Sequence, residues 1–98
     1  MVAPSRKPLS PGRPKGSTTF DEVAATAFGI KVRAVRTAAG IAQEQLAHAA
    51  NMERSYLGRI ERGQSQPTLN AILKIALALG CDAADLVSPT EQIWRRDR

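Results

Sequence analysis

The sequence predicts an all-α domain of five short helices preceded by a disordered arm. Hydrophobic residues make up 43% of the 98 residues but aromatic residues only 4%, whereas β-sandwiches favour Val, Ile, Tyr and Thr. The apolar residues recur at helical spacing. Four successive apolar segments end at Gly or Asn, residues that commonly follow the last turn of a helix.

The first helix is expected to begin with a capping box formed by Thr19 and Glu22 and to end at Gly40. Apolar residues recur at helical spacing between these limits. Gly29 interrupts the run, so the turns before it are expected to be frayed or separate.

A second, short helix is predicted over residues 43–50 and a third over residues 53–62. Asn51 stands between them and tolerates the left-handed conformation that a tight helix-to-helix turn requires. Leu57 and Ile60 are expected to point inward from the third helix, which Gly63 ends.

The fourth helix is predicted to begin after the N-cap Thr68 and to stop at Gly80. A last short helix contains Leu86, and Pro89 is expected to separate it from the tail. The inward face predicted for the fourth helix consists of Leu69, Ile72, Ile75, Ala76 and Leu79.

The positive charge is distributed unevenly along the chain. Residues 1–19 hold four Lys or Arg and no acid, together with four prolines, and are predicted to be a disordered basic arm. Residues 20–87 hold seven bases and seven acids and are predicted to be the folded domain, followed by a C-terminal tail over residues 88–98. The net charge of +5 therefore belongs mostly to the arm.

Several classes of protein are disfavoured by the sequence. It has no run of 18 apolar residues and no apolar stretch behind the basic N-terminus, so neither a membrane span nor a secretory signal is expected. Cys81 is the one cysteine and fits a reducing cytoplasm, and His48 has no partner at metal-ligand spacing. No nucleophile–base set is recognisable, so no enzymatic activity, metal or cofactor is expected.

A short helix, a tight turn and a second helix form the outline of a helix-turn-helix unit. Its second helix must present a polar outer face to the DNA major groove and keep its inner face firmly packed. Arg54, Ser55, Gly58 and Arg59 provide the predicted outer face of the third helix.

Residues 28–87 resemble the lambda-repressor-like (Cro/repressor, XRE-type) helix-turn-helix family. The most specific part of the match is the stretch Tyr56–Gly63, followed by Pro67. The remaining matching residues are Gly29, Val32, Val35, Arg36, Gly40, Ile41, Gln43, Glu44, Leu46, Ala47, Thr68, Leu69, Leu73, Ile75, Ala76, Leu79 and Gly80.

The resemblance implies roles for individual residues. It places Arg36 and Glu61 in a structural salt bridge between the first and third helices. Two departures are Ala42, where the family usually has a Ser or Thr cap, and Glu53, which can still cap the third helix. The implied base contacts are Gln43, Arg54, Ser55 and Arg59. The implied contacts to the DNA backbone are Tyr56, Arg62, Gln64 and Ser65.

Two further surfaces are interpreted from the sequence. Leu73, Leu77 and Leu86 are expected to form a dimer interface, and the alternative for Leu77 is packing against Ile93 and Trp94 of the tail. The Gly-Arg-Pro of the arm resembles the centre of an AT-hook, so a minor-groove arm is one interpretation. Its residues would be Arg6, Lys7, Arg13 and Lys15. The other interpretation is a solvated tail that attracts phosphate non-specifically.

The resemblance implies a sequence-specific DNA-binding transcriptional regulator, acting as a homodimer on an inverted repeat with residues 53–62 in the major groove. Its expected partners are double-stranded DNA, a second copy of the chain, and RNA polymerase or another protein. It is expected in the cytoplasm, associated with the nucleoid. The alternative functions are a protein-interaction adaptor with the same fold and an antitoxin-type regulator that binds a partner.

Overall fold

The computed structural model describes residues 20–97, which form an all-helical domain without strands. The five-helix fold predicted from the sequence is confirmed for this part of the chain. The arm residues Arg6, Lys7, Arg13 and Lys15 lie outside the described residues. In chain order the helices are α1 Glu22–Ala38, α2 Gln43–Ala49, α3 Arg54–Glu61, α4 Leu69–Leu79 and α5 Ala83–Asp97.

Asp21, rather than the expected Thr19, is the N-cap of α1. One carboxylate oxygen of Asp21 accepts a hydrogen bond from the backbone N–H of Ala24 at 3.0 Å. Asp21 directly precedes the first helical residue, which is the position from which a short carboxylate reaches the third amide of the helix. The predicted capping box is therefore wrong.

Helix α1 runs through Gly29 without interruption, so the expectation of a separate or frayed first half is wrong. Gly29 is buried where α1 crosses the end of α3. A Cβ atom built on Gly29 would lie 2.8 Å from the carbonyl oxygen of Glu61 and closer still to that of Ile60. The absence of a side chain thus allows the two helices to approach closely.

The predicted turn at Asn51, the cap at Thr68 and the stop at Gly80 are observed. Asn51 adopts the left-handed conformation with a φ of 52°, and Gly80 follows α4 with a φ of 76°. The hydroxyl of Thr68 accepts a hydrogen bond from Ala71 N–H at 3.0 Å and caps α4. These local features form the turn before α3 and set both ends of α4.

The core lies between all five helices. Leu69 was predicted to be part of it but is 71% exposed, whereas Ala71 in the same turn of α4 is buried. The buried core residues that pack together are Phe28, Val32, Leu46, Ala47, Leu57, Ile60, Ile75, Ala76 and Leu86.

Helix α5 continues through Pro89, so the expected separation of a tail at this residue is wrong. Proline removes one backbone hydrogen bond from a helix, but the C-terminal half of α5 packs against α1 and is held there. The indole N–H of Trp94 donates to the second carboxylate oxygen of Asp21 at 2.7 Å. No helix among residues 20–97 is long and apolar enough to span a membrane.

Candidate nucleic-acid interface

A shallow groove of about 270 Å³ lies along the outer face of α3, beside the start of α2. It brings together all four residues that the resemblance implied for base contacts. It also includes two of the four implied for backbone contacts. The groove is lined by Gln43, Arg54, Ser55, Gly58, Arg59, Arg62 and Gln64.

The groove is positively charged although the folded domain as a whole is not. Arg54, Arg59 and Arg62 contribute three guanidinium groups to its lining, and no carboxylate is among the lining residues. All three arginines are exposed. A concave surface lined by charges of one sign raises the local concentration of a ligand of the opposite sign.

Side-chain contacts around α3 restrain the arginines of the groove. Arg59 lies over the ring of Tyr56 at 5.7 Å from its centroid, and its Nε donates to the hydroxyl of Ser65 at 3.3 Å. Arg62 Nε donates to the side-chain oxygen of Gln64 at 3.0 Å. The residues implied as backbone contacts therefore also hold the ends of the groove in place.

Arg36 and Glu61 form a buried ion pair between α1 and α3. Arg36 Nε and Nη2 donate to the two Glu61 carboxylate oxygens at 2.7 and 2.9 Å, and Nη1 donates to the Ile41 carbonyl at 2.8 Å. The hydrogen bond to Glu61 raises the pKa of Arg36 further above its ordinary value, although burial opposes this. The pair fixes the position of α3, and with it the groove.

The buried carboxylate of Glu61 also holds Gln43, a contact that the sequence reasoning missed. Gln43 Nε2 donates to a Glu61 oxygen at 3.1 Å. This bond uses one amide hydrogen and leaves the second hydrogen and the amide oxygen of Gln43 for other partners. The two residues are 18 positions apart, so no local sequence signal could have indicated that they meet.

Gly58 forms the floor of the groove and is buried, not exposed as the sequence reasoning placed it. A Cβ atom there would lie 3.0 Å from Nη1 of Arg62 and 3.6 Å from the side-chain oxygen of Gln43. Both neighbours are the ends of flexible side chains. The glycine thus lets these two polar groups cover the middle of α3.

The N-termini of α2 and α3 lack side-chain caps. Glu53 occupies the N-cap position of α3 but its carboxylate makes no capping hydrogen bond, so the expectation that it caps is wrong. The carboxylate of Glu53 is exposed instead. Ala42 has no capping side chain, and its own N–H donates to the side-chain oxygen of Gln45 at 2.8 Å.

The apolar residues assigned to a dimer surface separate into two groups. Leu73 and Leu77 are exposed, Leu77 by 82%. Leu86 is fully buried because its side chain faces the core, so its assignment to a dimer surface is wrong. The alternative, in which the tail covers Leu77, is also wrong, because the end of α5 packs against α1.

Comparison with known proteins places this arrangement among helix-turn-helix regulators. A family model described as Helix-turn-helix matches residues 32–86, more than half of the chain. Control protein C.BamHI from Bacillus amyloliquefaciens is 41% identical over 64 residues, which cover 64% of this chain and 79% of that protein. The immunity repressor protein of Bacillus phage phi105 is 39% identical over 59 residues, which cover 60% of this chain but 41% of the repressor.

The same arrangement occurs in a solved structure. The crystal structure of the restriction-modification controller protein C.AhdI from Aeromonas hydrophila matches with a TM-score of 0.62 and 44% sequence identity. The match covers 63% of this chain and 94% of C.AhdI.

Proposed function

The chain belongs to the HTH_3 helix-turn-helix family of DNA-binding regulators, and from that premise we propose that it recognises a specific DNA sequence by inserting α3 into the major groove. The observation that carries the proposal is the α3 groove, which gathers Gln43, Arg54, Ser55 and Arg59 on one polar surface. The major groove of B-DNA is about 12 Å wide and admits one α-helix.

Each polar group of the groove has a matching group on DNA. Arg54 and Arg59 suit the O6 and N7 acceptors of guanine, for which a bidentate arginine contributes about 1–3 kcal/mol of discrimination. The amide of Gln43 keeps one donor and one acceptor, and its bond to Glu61 limits the orientations that it can adopt. Four further polar residues lie around the α3 groove and would face the phosphates that border the DNA major groove. They are Tyr56, Arg62, Gln64 and Ser65.

The test begins with duplexes that the wild-type chain selects from a random DNA pool. We expect the double variant Arg54→Ala/Arg59→Ala to lose its preference for the selected site, because at about 1–3 kcal/mol each residue accounts for roughly 5- to 150-fold in affinity. The matched control is Arg95→Ala/Arg96→Ala, which removes the same charge from exposed positions on α5. Circular dichroism should show the helical fold in both variants.

An equal loss in the two double variants would show that only net charge matters and would contradict recognition by α3. A wild-type chain that selects no sequence but retains a protein partner would favour the adaptor function. A chain that selects a sequence and also binds a second protein would fit the antitoxin-type regulator.

We propose that the active form is a homodimer on an inverted repeat. The residues Leu69, Leu73 and Leu77 are each four apart on α4, form one stripe and are exposed. Two α3 helices in successive major grooves on one side of the duplex would be about 34 Å apart. A DNA-binding regulator of this kind would be located in the cytoplasm, associated with the nucleoid.

The dimer is tested by sedimentation of Leu77→Glu, with Gln92→Glu as a control that adds the same charge at an exposed polar position of α5. We expect Leu77→Glu to shift the mass toward the monomer and the control to leave it unchanged. Equal masses for both variants would exclude α4 from the interface.

The basic arm is proposed to increase affinity by neutralising phosphates, with Arg6, Lys7, Arg13 and Lys15 as its cations. Deletion of residues 1–17 should lower affinity and reduce the dependence of log K on log salt, because each neutralised phosphate contributes about 0.9 to that slope. An unchanged slope would contradict this role. A larger loss on A·T-rich flanks would favour the minor groove as the arm's target.

A further inference from the structure

A second concavity of about 250 Å³ opens on the α1 side of the α3 groove. Its lining residues are Arg33, Arg36, Gln43, Glu61 and Arg62. Gln43 and Arg62 line both concavities, so the two are adjacent and form one continuous surface. Arg33 is the residue that the sequence reasoning did not assign to any function.

The mouth of this concavity is cationic while its interior is neutral. Arg36 and Glu61 are buried and neutralise each other at 2.7 Å. Arg33 and Arg62 are both exposed. The guanidinium of Arg33 has no hydrogen-bond or ion-pair partner within residues 20–97, and that of Arg62 bonds only through Nε to the neutral Gln64. Two guanidinium groups therefore remain without a counter-charge at one opening.

We propose that Arg33 and Arg62 together hold one phosphate of the DNA backbone at the edge of the α3 groove. This inference rests on the proposed function, since it assumes that α3 enters the major groove. The walls of that groove are phosphates, and arginine is suited to them because its planar donors bind two oxygens at once. Gln43 lines the same concavity and provides an uncharged donor there.

The opposite flank of α3 lacks the same charge pattern. The concavity there is lined by two cations, Arg59 and Lys74, but also by the exposed carboxylate of Glu53. An exposed carboxylate repels phosphate and offsets one of these two cations, whereas the only carboxylate from residues 20–97 that lines the Arg33 concavity, that of Glu61, is buried and paired with Arg36. The Arg33 side is therefore the flank on which the charges favour a backbone contact.

The decisive variant is Arg33→Ala, compared with Lys31→Ala on the same helix. Residues two apart on an α-helix point about 200° apart, and Lys31 lies close enough to Cys81 to interact with it electrostatically. Each variant removes one positive charge from α1, and only Arg33 lines the second concavity. Circular dichroism verifies that both fold.

We expect Arg33→Ala to reduce the slope of log K against log salt by about 0.9 and Lys31→Ala to leave it unchanged. A slope smaller by 0.9 means that the affinity deficit of the variant relative to the wild type grows about eightfold when salt is lowered from 1 M to 0.1 M. The loss should be equal for the selected site and for a scrambled duplex, because a phosphate contact carries no sequence information. Equal slopes for Arg33→Ala and Lys31→Ala would overturn the inference.

A double-mutant cycle with Arg62→Ala tests whether the two arginines share one phosphate. A shared phosphate predicts that the double variant loses less than the sum of the single losses. Additive losses would place them on separate phosphates and overturn the shared contact. A wild-type chain without a preferred site would contradict the proposed function, whereas the slope on scrambled DNA would still decide whether Arg33 binds phosphate.

Discussion

Substitution of Gly29 by alanine tests the close approach between α1 and α3. The added Cβ would lie 2.8 Å from the carbonyl oxygen of Glu61 and nearer to that of Ile60. Ordinary van der Waals contact between heavy atoms begins at about 3.5 Å. Both obstacles are backbone atoms of α3, so relief requires α1 and α3 to separate by roughly 1 Å.

The magnitude follows from two opposing effects. Alanine in a helix interior is favoured over glycine by about 1 kcal/mol. Overpacking of a well-packed core costs about 1–3 kcal/mol, and occasionally more. Because the backbone itself must move, we take the upper end of that range and expect a net loss of about 2 kcal/mol. For a domain of this size that corresponds to a fall of roughly 8–16 °C in Tm.

The assay is urea unfolding, followed by far-UV circular dichroism and by the fluorescence of Trp94. Gly58→Ala provides a matched control, because Gly58 is also a buried helical glycine. Its added Cβ would meet only the side chains of Arg62 and Gln43, which can move. This control should be neutral or more stable by up to about 1 kcal/mol.

A Gly29→Ala domain that unfolds at the same or a higher urea concentration than the wild type would refute the reasoning. That result would mean that the two helices separate at little cost. Equal destabilisation by Gly29→Ala and Gly58→Ala would refute the distinction between backbone and side-chain obstacles.

Three other measurements examine the contacts that hold the site and the helices together. Arg36→Met should lower the free energy of unfolding by about 3–5 kcal/mol, because it leaves the buried Glu61 carboxylate without its cation; a loss below about 1 kcal/mol in urea unfolding would contradict this. Trp94→Phe should cost about 1 kcal/mol through the lost indole bond to Asp21, and a neutral result would show that this bond does not hold the end of α5. Burial raises the pKa of the Cys81 thiol. Its reaction with a disulfide reagent at pH 8 should therefore be slower than that of a free cysteine, and it should accelerate toward higher pH. Reaction at the free-cysteine rate would contradict the raised pKa.

The local parts of the fold were predictable because they depend on neighbouring residues. Thr68 caps α4 through an amide three positions away, and Asn51 forms its turn through its own backbone conformation. The outer face of α3 was also predictable in outline, since helical spacing alone places Ser55 and Arg59 on one side.

Other features required the tertiary structure because distant residues override local preference. Proline disfavours a helix interior, yet α5 continues through Pro89 because its later turns pack against α1. Leu69 and Leu86 are equally apolar, but one is exposed and the other is buried. Burial depends on where the neighbouring helices lie, which the periodicity of one helix does not specify.

The sequence by itself thus determined the number of helices, most of their ends and the polar residues of α3. Only the tertiary structure decided that Glu61 holds Gln43 and that Arg33 stands beside Arg62. The physical reason is range. Caps, turns and helical faces arise from contacts within a few residues. The Glu61–Gln43 bond and the concavity shared by Arg33 and Arg62 join positions 18 or more apart, and they exist only after α1, α2 and α3 have packed together.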